Sequence, residues 1–134
     1  MIKLIVGKKG SGKTKILVER INEAAKASKG NVICIEKDLQ LTYNIDHSVR
    51  LINIVDYKVE GFDAFYGFIT GVLAGNYDIT DVFVDGTLRI GNRDMNAFAD
   101  MIVKLNALNA DANLLFTVSC DACEIPESIK GFIE

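Results

Sequence analysis

Hydrophobic and polar positions along this chain switch between two periods. Met1 to Val6 is a short apolar run suited to a buried strand. From Thr14 to Ala27 the apolar residues Leu17, Ile21, Ala24 and Ala25 fall on one helical stripe. Lys29-Gly30-Asn31 reads as a turn, and Val32 to Ile35 as a second strand. Residues 37 to 50 are polar and irregular, with a short strand expected around Val49 to Ile54. A helix is predicted from Gly61 to Ala74, with Phe62, Phe65, Ile69, Val72 and Leu73 as its apolar positions. Gly67, Gly71 and Gly75 recur every four residues there, a spacing that lets a helix lie close to a sheet or a partner. Val82-Phe83-Val84 is a third strand, ending in Asp85-Gly86, and residues 87 to 93 read as a loop or short excursion. A helix over 94 to 108 carries Met95, Phe98, Ile102 and Leu105 on one face. Leu114 to Val118 is a fourth strand, and Pro126 suits the first turn of a last short helix. Strands alternating with helices predict an α/β fold: a mainly parallel sheet covered on both faces, a three-layer sandwich.

The connection after the first strand holds the most specific chemistry. Gly7, Lys8, Lys9, Gly10, Ser11, Gly12, Lys13 and Thr14 read G-x-x-x-x-G-K-T, the Walker A pattern, between a strand and a helix. Its glycines permit a tight turn and close approach of phosphate oxygens to backbone amides. Lys13 offers a point charge to β- and γ-phosphates, Thr14 a hydroxyl to Mg²⁺, and the following helix its positive end. Asp85 ends an apolar strand and is placed to bind Mg²⁺, as a Walker B acid does. Gly86 stands where many P-loop ATPases carry a glutamate that aligns or deprotonates water. A carboxylate from elsewhere is then needed for hydrolysis, and Glu36 at the end of V-I-C-I-E is the candidate, with Asp38 behind it.

Together, G-K-K-G-S-G-K-T, a helix, and a strand ending V-I-C-I-E-K-D-L resemble the RecA-like branch of P-loop ATPases. The resemblance implies a P-loop core, ATP and Mg²⁺ as ligands, and Lys13, Glu36 and Asp85 as catalytic residues. It also puts Ser119, in L-L-F-T-V-S, in the place of a polar sensor. No N-K-x-D base-reading motif is present, which favours ATP over GTP. The expected activity is slow Mg-dependent ATP hydrolysis. Two alternatives stand beside it. One is a small phosphotransferase of nucleoside-kinase type, with Asp38 or Asp46 as base. The other is an ATP-dependent switch or assembly subunit with negligible turnover. Arg89 and Arg93 follow the Walker B strand, where an arginine finger acting across a subunit interface is one reading and solvated loop arginines the other. Tyr43, His47 and Tyr57 lie in the irregular middle, where a nucleotide or partner surface is conceivable.

Bulk properties narrow the classes. At 134 residues, 49% hydrophobic and 25% charged, the chain reads as one globular domain over 1–134. A net charge of −3 does not indicate a nonspecific nucleic-acid binder. Neither a membrane span nor a signal peptide is read, so a cytoplasmic protein is expected. A homo-oligomer or a protein partner is left open. Cys34 reads as a small core residue; Cys120-x-x-Cys123 is a weak metal or redox signal, since a closed zinc site needs four ligands.

Overall fold

The computed structural model describes residues 1–37 and 44–134. Its strands are β1 (Ile2–Gly7), β2 (Asn31–Glu36), β3 (Arg50–Asn53), β4 (Ile79–Val84) and β5 (Asn113–Ser119). Its α-helices are α1 (Lys13–Ala27), α2 (Phe62–Gly75), α3 (Thr87–Ile90) and α4 (Met95–Ala107). Short 3₁₀ turns follow β3 (Ile54–Tyr57) and β5 (Ala122–Glu124, Glu127–Phe132).

The five strands form one sheet in the order β1-β5-β4-β2-β3, and every described pairing is parallel. Side-chain alternation sorts the interior into two layers. Ile5, Cys34, Phe83 and Leu115 point to one face and pack with Leu17 and Ile21 of α1. Leu4, Ile35, Val84 and Phe116 point to the other, against Phe65 and Ile69 of α2 and Phe98 and Ile102 of α4. The result is a three-layer α/β sandwich. No described helix is long and apolar enough to cross a membrane.

This topology fixes where a ligand would sit. The chain leaves β1 for α1 on one face, and leaves β4 for α4 on the other. Connections that diverge to opposite faces open a crevice at the carboxyl ends of parallel strands. Only β5 lies between β1 and β4, so their carboxyl ends are ~10 Å apart, two strand spacings.

Two expectations need correction, and a third, left with two readings, is resolved. The strand expected at Val82–Val84 begins at Ile79, because Ile79 pairs with Asn31 and Asp81 with Val32 across a register shift. Of the two readings of the stretch after Gly86, loop or short excursion, the structure has the excursion, one helical turn, α3. The glycine stripe of α2 does not serve close packing among the described residues. A Cβ built on Gly67, Gly71 or Gly75 would meet nothing within 4 Å.

Candidate functional site

The loop from Gly7 to Thr14 is shaped by its glycines. Gly10 and Gly12 hold φ of 85° and 89°, left-handed values that favour glycine. The Ser11 N–H donates to the Lys8 carbonyl at 3.0 Å, closing the turn. Gly7 has no room for a Cβ, which would run into the Ser11 side chain. Gly12 then occupies the N-cap of α1 with no side chain to cap the helix. The first-turn amides of α1 are therefore free of side-chain competition, the arrangement by which a helix start receives an anion.

Lys13 is folded back over this turn. Its ammonium donates to the Lys8 carbonyl at 3.0 Å and to the Ser11 hydroxyl at 3.5 Å. The residue is only 8% exposed, so its stem is packed and its ammonium is held at the loop's centre, on the cleft wall. Thr14, next to it, is exposed.

Parity brings the acids to the same side. Glu36 and Asp85 have the alternation of Cys34 and Phe83, so both lie on the α1 face. The Asp85 N–H extends the ladder by donating to the Ile35 carbonyl at 3.0 Å, which sets Glu36 and Asp85 side by side. Burial pushes the Cys34 thiol well above its ordinary range, and the Glu36 and Asp85 carboxylates add to that.

Thr117 belongs to the candidate site, and the sequence reading passed over it. Its hydroxyl donates to Asp85 Oδ1 at 2.7 Å and accepts from the Gly86 N–H at 3.0 Å. Being 1% exposed, it holds the carboxylate in one orientation from a dry position. A hydroxyl inside the apolar run L-L-F-T-V was the available signal, since a buried polar group requires a partner. Ser119, expected as the sensor, lines the cleft one row above, and its carbonyl accepts from Arg93 Nη2 at 3.2 Å.

These pieces surround one cleft of about 790 Å³, within the size range of small-molecule sites. Lys8, Lys9, Lys13, Arg89 and Arg93 line it, against only two carboxylates, Asp85 and Glu124. Five cations gathered in one crevice of a chain with net charge −3 give that crevice a strongly cationic lining. Lys8 also pairs with Asp121 at 3.3 Å, an exposed pair worth under ~1 kcal/mol.

No protein-family model matches this chain, and no curated protein matches it significantly.

The other candidates are distributed as follows. Glu36 is 2% exposed and is not among the described residues lining the cleft. Asp38 and Tyr43 lie outside the described residues. Asp46, the alternative base, accepts from the Ser48 backbone and hydroxyl, which hold its carboxyl below the usual range. It is not in the cleft wall. His47 is exposed, and Tyr57 stacks its ring 5.6 Å from Phe68. Arg89 and Arg93 both face the cleft of their own chain. Cys120 lines the cleft and Cys123 is exposed; among the described residues no three metal-ligating side chains converge.

Gly86 follows from local geometry. Its φ of 62° and ψ of 40° are left-handed, and a Cβ there would lie 2.6 Å from the Arg89 guanidinium. Arg89 can swing aside, so the backbone carries most of the penalty. We expect Gly86→Glu to lose about 1–2 kcal/mol of stability in urea denaturation. Unchanged stability would contradict the left-handed conformation at this position.

Proposed function

We propose that this chain has a RecA-like P-loop core that binds Mg·ATP and hydrolyses it slowly. What carries the reading is the convergence in one cationic cleft of a glycine-shaped loop, a nearly buried Lys13, the exposed Thr14 and an oriented Asp85. Loop amides and Lys13 would hold the phosphates. Thr14 and Asp85 would hold Mg²⁺, which supplies charge neutralisation on the phosphate oxygens when bound. The donor set fits that ion, since a hydroxyl and one carboxylate, completed by phosphate and water, suit Mg²⁺. The ~10 Å between the ends of β1 and β4 leaves space for both. Positioning and electrostatics would supply most of the rate, since phosphoryl transfer asks little covalent work of the protein.

The burial of Glu36 favours a second reading, an ATP-dependent switch with negligible turnover. Phosphate release separates the two. If Glu36 activates water, Glu36→Gln lowers release by about 10²-fold or more. If the protein is a switch, release is barely detectable and Glu36→Gln leaves it unchanged, while Mg·ATP still binds.

A further inference from the structure

Resting on that reading of the cleft, we propose that Arg93 contacts the terminal phosphate of a nucleotide bound to its own chain. It is then the residue by which this site distinguishes a triphosphate from a diphosphate. Three independent features place it there. First, Arg93 is anchored at the strand ends facing the loop. Its Nη2 donates to the Ser119 carbonyl, and Ser119 pairs in register with Gly7, where the phosphate loop begins. A guanidinium has five N–H donors, and this bond uses one. Among the described residues Arg93 makes no ion pair. Its remaining donors border a cleft that it shares with Lys13.

Second, the backbone is forced to put it there. Asn92 and Arg93 are consecutive left-handed residues, at φ 54° and 61°. Asparagine tolerates that conformation through local hydrogen bonds; arginine does not. The turn is tied on both sides, by Arg93 N–H to the Leu88 carbonyl at 2.7 Å and Asp94 N–H to the Gly91 carbonyl at 3.1 Å. Asp94 then caps α4 through the Ala97 N–H. Strain held at a site wall by its surroundings is a functional indicator.

Third, Arg93, Lys13 and Cys120 line the same cleft. Burial chiefly raises the Cys120 thiol, with help from Glu124 and Asp121, while Arg93 and Lys13 both oppose the rise. Arg89 lines the same cleft, but its guanidinium lies over Gly86, beside the end of β4, and not at the Ser119 carbonyl beside the loop. Planar, multidentate and always charged, an arginine suits a terminal phosphate, whose charge is the one that changes during transfer.

The test is Arg93→Gly, which removes the guanidinium; relief of the left-handed strain offsets the entropy glycine adds to the unfolded chain, so the variant is expected to fold. Affinities for Mg·ATP and Mg·ADP are measured side by side. Binding of ATP should weaken tenfold or more, ADP by less than about twofold, and any phosphate release should fall by at least ~10³-fold. Arg93→Lys should recover part of the ATP preference. Equal weakening of both nucleotides, or an unchanged ratio, overturns the proposal. Mixing Lys13→Ala with Arg93→Gly protein should restore nothing; recovered turnover would show action across subunits and overturn the assignment within one chain. If the wild type binds neither nucleotide, the reading of the cleft falls and takes Arg93 with it. If Lys13→Ala weakens binding while Arg93→Gly keeps the ATP-to-ADP ratio, Arg93 alone is refuted.

Discussion

Lys13→Ala is expected to weaken Mg·ATP binding by about 10- to 150-fold. The ammonium already sits at the loop's centre, held by the Lys8 carbonyl and the Ser11 hydroxyl. It need not be drawn from solvent to meet an anion, so little of its interaction is lost to reorganisation. A charge-assisted hydrogen bond contributes ~1.5–3 kcal/mol, which gives that range. Any turnover should drop further, by ~10²–10³, because charge on the transferring group grows in the transition state. Folding should hardly change. The substitution deletes one of five cations crowded in the cleft, and relief of repulsion offsets the lost bonds. Calorimetric titration checks the affinity, and urea denaturation checks that the variant is folded. Equal affinity in wild type and variant would remove Lys13 from the site.

The largest stability effect is expected at Phe98. It is fully buried between layers, with its ring centroid 5.5 Å from that of Phe62 at the start of α2 and 6.4 Å from that of Phe116 in β5. Phe62 in turn leaves no room for a side chain on Gly91, between α3 and α4. Phe98 therefore joins α2, α4, the sheet and the turn that carries Arg93. Phe98→Ala should cost ~3–5 kcal/mol through lost burial and the cavity left behind. That is a large share of the ~5–15 kcal/mol that holds a typical domain together. Urea denaturation measures it. Val103 on the same helix is 45% exposed, and its alanine variant should stay within ~0.5 kcal/mol. A loss below ~1 kcal/mol for Phe98→Ala would contradict this packing.

How much of this was legible beforehand depended on whether the determinant was local. The loop from Gly7 to Thr14 reads directly, because its chemistry lies in consecutive residues. The long helices and central strands also read, since their periods run over many positions. Short or polar elements did not. α3 is a single turn, T-L-R-I, too brief to show a period. The start of β4 was hidden because Asp81 is polar; there it accepts from Thr80 and Asn113. Residues whose role depends on lateral strand order were invisible. Thr117 reaches Asp85 only because β5 lies beside β4, with Val84 opposite Phe116. Nothing in the linear order of strands dictates that neighbour. Arg93 enters the cleft through a turn of two left-handed residues, a conformation that its own side chain disfavours and only packing imposes. The α2 glycines show the converse, a sequence pattern that suggests close approach where the described residues make none.

Titration of the intact wild-type protein with ATP, in the presence and absence of magnesium, tests the central claim most directly. The proposed function predicts saturable one-to-one binding that tightens with magnesium, because on that reading Thr14 and Asp85 would engage the nucleotide only through the ion. Absence of saturable binding under both conditions would contradict the assignment of this cleft to a nucleotide.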